Sequence, residues 1–360
     1  MLSIQKIIIT QFKNYETGRF DFNSYVVGIC GKNGIGKTNL LDSIYYCCFT
    51  KSYFSGNENM IIENGKDGFR LEGYFLNNEA PNKIICINKS GAKKEFSLND
   101  VPYDKLSQHI GLLPCVMIAP DDIELINGGS ELRRKFMDTV LCQLDKDYMQ
   151  SLIHYNKILL QRNSYLKKDF SAQKFDYALL DIFDEQLIVH GKVIYTKRKS
   201  FTTELAQLVQ SFYQKISEAN EAIELIYESN LNDQSLSNLL KQNRERDRML
   251  QRTSKGIHRD DLQFSMHQLQ FKNIASQGQK KSLLFAMKLA EYEIIKSTKG
   301  FSPILLLDDF FEKLDETRMN NLLKIVCIEN QGQVIITDTH KSRLLDVFEK
   351  MQIKGQIIEL

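Results

Sequence analysis

The sequence predicts an α/β protein in which a lobe of strands and helices is interrupted by a long helical insertion. An apolar stretch at 25–30 leads through a glycine-rich loop into a helical pattern at 39–49. Segments 69–75 and 83–87 alternate apolar and polar residues, which predicts the antiparallel strands of a β-subdomain. From about 130 to 250 the apolar residues recur at helical spacing instead. We therefore expect an α/β lobe with an antiparallel β-subdomain and an inserted helical lobe.

The glycine-rich loop has the composition and the setting of a P-loop. Its residues are Gly31, Lys32, Asn33, Gly34, Ile35, Gly36, Lys37 and Thr38. Glycines let successive backbone N–H groups turn toward phosphates at the start of a helix. Lys37 is placed to reach the β- and γ-phosphates, and Thr38 to offer its hydroxyl to Mg²⁺. We expect the chain to bind a nucleoside triphosphate here, with Asn39 also among the binding residues.

A second apolar strand, 304–307, ends in the two carboxylates Asp308 and Asp309. This is the Walker B arrangement, in which the first aspartate belongs to the Mg²⁺ shell. The next position is where a water-polarising acid stands in ABC-type ATPases, so Asp309 is the candidate general base and Lys37 its catalytic partner. The P-loop and this strand lie at opposite ends of the chain. That spacing fits small kinases and GTPases poorly.

Between the two elements lies the run Ser276, Gln277, Gly278 and Gln279, followed by a helical pattern to about 296. Such a run by itself predicts only a helix N-cap. Placed shortly before a Walker B strand, it matches the signature of ABC-type ATPases, which faces the γ-phosphate held by the other subunit.

Two further motifs follow the Walker B strand. Leu314 and Asp315 match a D-loop. His340, after the strand 334–337, is either a γ-phosphate sensor or a solvated loop histidine, and the pattern does not decide between them.

The order of these motifs resembles the SMC-like branch of ABC ATPases, and several segments are similar to the RecF family within it. The similar segments are 9–15, 120–128, 133–138, 184–187 and 256–262. The resemblance implies ATP and Mg²⁺ as cofactors, with Lys13 and Asn14 in the ATP site. It also implies an ATP-dependent homodimer in which Ser276 and Gly278 complete the partner's site. Asp309 stands where ABC ATPases commonly have the longer glutamate, which predicts slow, switch-like ATP hydrolysis.

The same resemblance implies a role in recombinational repair. Its expected partners are double-stranded and gapped DNA together with RecR and RecO, with which the protein is expected to help the RecA recombinase to load. Net charge is only +2, so the whole chain does not indicate a nucleic-acid protein. Basic clusters at 167–168, 192, 197–199 and 244–252 give weak support.

Length and composition set the expected organisation. At 360 residues we expect two lobes, with the ATPase lobe at 1–119 and 256–360 and the helical insertion at 120–255. Seven cysteines without CxxC spacing argue against a disulfide framework or a zinc site. No apolar stretch is long enough to span a bilayer, which predicts a cytoplasmic protein with no membrane partner. In the helical insertion, His154 and His190 are expected to be packed histidines.

Two other functions stay open at this level. One is an ATPase subunit of an ABC transporter, which also has the signature; the helical insertion and the run 13–15 speak against it. The other is a non-hydrolysing, nucleotide-gated DNA scaffold, which is favoured if the side chain of Asp309 is too short to act as a base.

Overall fold

The chain forms two compact units. The computed structural model describes residues 1–168, 176–311 and 315–360. The first unit comprises Met1–Ile123, Phe212–Ala219 and Ser276–Leu360, and the second comprises Glu124–Ser211 and Asn220–Ala275. The domain boundaries expected at 120 and 255 stay a prediction.

Fourteen strands occur in the described residues. They are β1 (Leu2–Phe12), β2 (Tyr15–Asp21), β3 (Val26–Cys30), β4 (Gly68–Asn77), β5 (Ala80–Lys89), β6 (Glu95–Leu98), β7 (Val101–Pro102), β8 (Cys115–Ile118), β9 (Ile223–Glu228), β10 (Asp261–Met266), β11 (Leu269–Gln270), β12 (Ile304–Leu307), β13 (Val334–Asp338) and β14 (Gln356–Glu359).

Eleven α-helices occur in the same residues. They are α1 (Lys37–Phe49), α2 (Glu124–Asn127), α3 (Ser130–Leu144), α4 (Lys146–Leu166), α5 (Tyr177–Ser217), α6 (Leu236–Gln242), α7 (Arg244–Leu250), α8 (Phe271–Ile274), α9 (Gln277–Lys299), α10 (Glu316–Leu323) and α11 (Lys341–Lys350). A π-helix, Lys324–Glu329, continues α10.

The first unit contains a parallel sheet in the order β14-β3-β13-β12-β8. Every residue of β3, β12 and β13 is buried, as expected for central strands of a parallel sheet that is covered on both faces. Parallel strands end at the same edge of a sheet. The residues that follow β3, β12 and β13 are therefore neighbours in space, and this edge holds the candidate site.

The predicted β-subdomain is the second sheet of this unit. It is antiparallel, in the order β2-β1-β4-β5-β6-β7, and β4 alternates buried and half-buried residues. Three rings pack edge to face between it and α1: the Phe69 centroid lies 5.2 Å from that of Phe12 and 5.4 Å from that of Tyr46. Burial of these aromatic rings fixes α1, and so the P-loop before it, against the sheet.

The second unit contains α3, α4, most of α5 and a small sheet in the order β11-β10-β9. The expectation of helix through 130–250 is therefore wrong at β9, which pairs with β10 through Tyr227 and Leu262. Ile223 and Tyr227 are buried while Glu224 and Glu228 are exposed, which is the two-residue period of a strand.

The cysteines and the histidines of the insertion differ in burial. All seven cysteines are thiols, and five of them are buried. His154 is exposed, so the expectation that its side chain is packed in the core is wrong. Its ring stacks instead on that of His190, with centroids 5.0 Å apart.

A buried histidine makes the stability of the first unit depend on pH. Nε2 of His109 donates to the Cys47 carbonyl at 2.7 Å, so Nδ1 accepts from the Tyr103 hydroxyl at 3.1 Å. Burial lowers the pKa of His109 from 6.5 to about 4. Between these values the unfolded chain binds a proton that the folded chain does not, so the free energy of unfolding falls as the pH falls. The slope is about 1.4 kcal/mol per pH unit, and about 3 kcal/mol is lost in all.

We expect His109→Gln to reduce the slope by about 1.4 kcal/mol per pH unit, since an amide donates to the Cys47 carbonyl without titrating. The slope that comes from His258, whose pKa burial also lowers to about 4, should remain. Urea unfolding of both proteins across the pH range from 7 to 4, followed by circular dichroism, measures it. Equal slopes for the two proteins would show that protonation of His109 does not control acid stability.

Candidate functional site

The P-loop leaves β3 at the edge of the parallel sheet and ends in α1. Residues 32–35 are exposed, and Gly34 has φ 79°, with no neighbouring atom where a side chain would stand. Gly36 has φ 127°, and a methyl group there would lie 2.8 Å from the hydroxyl of Tyr15. Only glycine therefore leaves this backbone free to turn its N–H groups outward, as phosphate binding requires.

Lys37 closes the loop in the structure. Its side chain is buried, and Nζ donates to the carbonyl oxygens of Gly31 at 2.8 Å and of Lys32 at 3.1 Å. The ammonium group thus lies inside the turn, where phosphate oxygens can replace these two acceptors.

Thr38 joins the P-loop to the Walker B strand. Its hydroxyl donates to Oδ2 of Asp308 at 2.8 Å, although the two residues are 270 positions apart. Thr337, at the end of β13, donates to Oδ1 of Asp308, also at 2.8 Å. Burial raises the pKa of Asp308, while the bonds from Thr337 and Thr38 act in the opposite direction. The two residues predicted to hold Mg²⁺ are therefore in direct contact.

The donor set at this point fits Mg²⁺. The ion prefers oxygen ligands and is usually held by one or two protein carboxylates together with phosphates and water. Thr38 and Asp308 supply a hydroxyl and a carboxylate side by side.

Asp309 follows Asp308 in a left-handed backbone conformation, with φ 42°. Its N–H donates to the Thr337 hydroxyl at 2.8 Å. Thr337 therefore holds both aspartates, through a bond to the side chain of one and the backbone of the other. Aspartate tolerates this conformation better than most residues.

The turn between β1 and β2 packs on the P-loop. Asn14 donates to the carbonyl of Ile35 at 2.9 Å and accepts from the amide of Asn39 at 2.7 Å, so both residues adjoin the loop. Lys13 points elsewhere: its Nζ lies 2.7 Å from Oδ2 of the buried Asp42. A direct role of Lys13 toward ATP stays a prediction.

The signature residues form the beginning of α9. Ser276 is the N-cap: its hydroxyl accepts from the backbone N–H of Gln279 at 3.2 Å, and the Gln279 side chain accepts from the Ser276 N–H at 2.8 Å. This reciprocal capping box confirms the predicted start of the helix. Ser276 and Gln277 are exposed, while Gly278 is partly covered by Arg318.

The D-loop aspartate begins the next helix. Asp315 caps α10 by accepting from the backbone N–H of Arg318 at 2.9 Å, and it forms an ion pair with the side chain of the same arginine. Leu314 lies outside the described residues.

The matching family model describes the RecF/RecN/SMC N terminal domain, and it spans residues 3–355. Curated relatives include the DNA replication and repair protein RecF of Flavobacterium johnsoniae, 43% identical over 342 residues that cover 95% of each chain. The RecF of Bacteroides thetaiotaomicron is 40% identical, covering 97% of this chain and 94% of its own. The chain belongs to the RecF family.

Solved structures agree with this membership. A structure of the recombination mediator protein RecF-ATPrS in the RecFOR pathway has a TM-score of 0.88 and 28% identity, covering 100% of this chain and 96% of its own. The corresponding RecF-ATP structure has a TM-score of 0.88 and 31% identity, with coverages of 95% and 93%. A Smc head domain from Pyrococcus furiosus, 15% identical at a TM-score of 0.58, shares the fold. The predicted ABC-type ATPase fold is confirmed.

His340, the residue before α11, fits both interpretations of its role. Its imidazole is about two thirds exposed and lies 3.9 Å from the carboxylate of Asp338 at the end of β13. Its backbone N–H donates to that carboxylate at 3.1 Å. The position at the sheet edge suits a γ-phosphate sensor, and the exposure suits a solvated histidine.

The predicted basic clusters are smaller than the sequence indicates. Arg198 is buried and bonded to Asp138 and Asp260, and Arg244 is bonded to Asp184. These arginines stabilise the second unit and are not available to DNA phosphates.

Three residues of the site were missed from the sequence. Thr337 and Arg318 belong to no recognised motif, and Asp42 lies in a helix whose other residues are mostly apolar. A buried ion pair on α9, between Lys288 and Glu291 at 3.2 Å, could have been found from the sequence as two opposite charges three residues apart in an apolar stretch.

In the described residues, no helix is both long and apolar enough to cross a membrane.

Proposed function

We propose that this chain is an ATP-dependent DNA-binding protein of recombinational repair that hydrolyses ATP slowly. The observation that carries the proposal is the hydrogen bond between Thr38 and Asp308, because it joins the P-loop to the Walker B carboxylate in one nucleotide site. Membership of the RecF family and the likeness to structures described as RecF-ATP support it.

ATP would bind with its phosphates in the turn of Gly31–Thr38. The loop N–H groups and Nζ of Lys37 would face the phosphate oxygens, and Asn14 and Asn39 would support the loop from outside. Mg²⁺ held by Thr38 and Asp308 would supply positive charge at the β- and γ-phosphates. Asp309 would orient and deprotonate the attacking water.

Two copies would then close on the nucleotide. The exposed Ser276 and the adjacent Gly278 of one copy would contact the γ-phosphate bound by the other copy. The differential affinity of ATP for the closed pair shifts the monomer–dimer equilibrium. Hydrolysis removes the shared phosphate and releases the pair.

The closed pair would bind duplex and gapped DNA through the phosphate backbone, with an affinity that falls as salt rises. Lys199 and Arg246 are exposed members of the basic clusters on the second unit. With RecR and RecO as partners, the protein would help RecA to load in the cytoplasm. The names of the relatives and the RecFOR pathway of the solved structures support this setting.

Measuring ATP turnover and DNA binding with and without gapped duplex tests the proposal. We expect slow turnover that gapped DNA increases, together with ATP-dependent DNA binding. Binding without any turnover would favour the nucleotide-gated scaffold. Turnover without any DNA binding would favour an ATPase subunit of another ABC system.

Variants at the two halves of the composite site should behave differently. Lys37→Ala removes the phosphate contact, so both ATP binding and ATP-dependent pairing should be lost. Ser276→Arg leaves the P-loop of its own chain intact, so it should bind ATP normally and fail to pair. Nucleotide titration and sedimentation velocity with ATP measure the two properties.

Ser276→Ala is the matched control for the arginine variant. It also removes the N-cap, at a cost of about 1 kcal/mol, but adds no bulk, so it should weaken pairing far less. If Ser276→Arg binds no ATP, the signature does not act on the partner's nucleotide.

A further inference from the structure

Arg318 connects the signature to the D-loop within one chain. It lies in the first turn of α10, and its Nε is 3.2 Å from Oδ2 of Asp315. Its backbone N–H donates to the other oxygen of the same carboxylate. Only 20% of the side chain is exposed, so the arginine is held in place at the surface of the first unit.

The guanidinium group rests on the backbone of Gly278. A methyl group at Gly278 would collide with Nη1 of Arg318 and would lie 3.4 Å from its Cζ. A side chain at position 278 would therefore displace the guanidinium group from the place that it has here. The side chain thus joins two motifs that are far apart in sequence.

The charge of Arg318 stands beside the N-terminus of α9, where the helix dipole disfavours a cation. In the described part of the chain, Asp315 is the one acidic partner of this guanidinium. Asp315 itself is about half exposed, so the pair is open to water. An exposed pair of this kind contributes little to stability, which argues against a purely structural purpose.

We propose that Arg318 is a positioning residue that sets the signature and the D-loop in one arrangement for the partner's ATP. This inference rests on the proposed ATP-dependent pairing. The ion pair with Asp315 and the contact with Gly278 hold both motifs together before the second copy arrives. Loss of Arg318 leaves the P-loop untouched but removes this alignment, so it acts only on the site of the opposite copy.

Arg318→Gln tests the alignment. We expect unchanged ATP affinity of the single chain and a drop of roughly 10- to 100-fold in pairing and in turnover per site, the range for losing a hydrogen bond to a charged group. The fall should appear in kcat, with the KM for ATP little changed. Arg318→Lys keeps the charge and should recover part of the loss.

Glu316→Gln is the matched control, because Glu316 directly follows Asp315 and, among the described residues, forms its ion pair with the exposed Lys350. It should behave as the wild-type protein. If Arg318→Gln also pairs and turns over like the wild type while the wild type pairs with ATP, Arg318 has no positioning role.

Mixing two variants decides whether Arg318 acts on the opposite copy. A pair made of one Lys37→Ala chain and one Arg318→Gln chain has one site that contains both defects and one intact site. We expect an equal mixture to turn over ATP faster than the sum of the separate variants. If Arg318 served the P-loop of its own chain, both sites would be defective and mixing would restore nothing.

The inference and the proposed function can fail separately. A wild-type chain that binds ATP but never pairs would end the proposed pairing mechanism and this inference with it. A wild-type chain that pairs, combined with no gain on mixing, would overturn the role of Arg318 alone.

Discussion

Replacing Arg162 by methionine is expected to lower the free energy of unfolding of the second unit by about 3–5 kcal/mol. Arg162 is fully buried on α4. Its Nε donates to Asp184 at 2.8 Å, and its Nη1 donates to Asp247 and Thr253, each also at 2.8 Å. Methionine has a similar length but no charge, so the buried Asp247 would lose its cationic partner.

The large cost arises from the carboxylate that is left behind. Asp184 keeps a second partner in Arg244, with Nη2 at 2.9 Å. Asp247 is fully buried, and within the part of the chain that the structure describes its carboxylate keeps the N–H and hydroxyl of Ser254, at 2.8 and 2.6 Å. An uncompensated charge in the interior is costly, whereas replacing both partners of a buried pair by apolar residues is often neutral.

Urea unfolding followed by circular dichroism measures the effect, and two further variants identify its cause. Arg162→Met combined with Asp247→Leu should recover much of the stability, because no charge is left unpaired. Arg246→Met, on the exposed face of α7, should change stability by less than about 0.5 kcal/mol. A loss below about 1 kcal/mol for Arg162→Met would show that water or rearrangement compensates Asp247.

The features predicted correctly from the sequence depend on short-range chemistry. The glycine-rich loop between β3 and α1, the helix N-cap at Ser276 and the apolar strand before Asp308 each need only neighbouring residues of the right type. Each can therefore be recognised in a local window, and their order along the chain indicates the family.

The features that were missed depend on contacts between distant residues. Lys13 is paired with Asp42, and Arg318 covers Gly278, yet no spacing rule connects either pair. The strand β9 was missed because it follows a helix of 41 residues and has only six residues of its own. Its pairing with β10 supplies the hydrogen bonds that its short alternation alone does not predict.

The sequence also does not show which charged side chains are buried. Arg198 lies in a run of basic residues that gives weak support to DNA binding, yet it is buried and paired with Asp138 and Asp260. Burial depends on which face of α5 packs inward. The apolar residues of the helix decide which face packs inward. The sequence alone therefore does not show which basic residues of a cluster are exposed.

Asp309→Asn is expected to leave ATP binding intact and to lower hydrolysis by about 10²–10⁴-fold, the usual effect of losing a general base. The amide keeps the volume of the side chain but cannot accept the proton of the attacking water. Asparagine also tolerates the left-handed backbone found here, φ 42°, so the turn after β12 should keep its shape. The bond from the backbone N–H to Thr337 is unaffected by the change.

Asp308→Asn provides the contrast, because Asp308 has the other role. Its two oxygens accept from Thr38 and Thr337, and its charge is assigned to Mg²⁺. Removing that charge should weaken Mg²⁺-dependent ATP binding itself, while binding without the ion changes little. Titration of each variant with ATP, in the presence and absence of Mg²⁺, separates the two aspartates.

The lifetime on DNA then tests whether hydrolysis releases the clamp. The closed pair of Asp309→Asn chains should keep its ATP. After removal of free nucleotide, its dissociation rate from duplex DNA should therefore fall by the same factor as its rate of ATP hydrolysis. Lys37→Ala, which should not close at all, sets the lifetime of an open chain on the same DNA. If Asp309→Asn hydrolyses like the wild type, the general base is another residue. The variant could instead hydrolyse slowly but leave DNA as fast as the wild type. Release would then not depend on hydrolysis, because the bound ATP would not be keeping the two copies together.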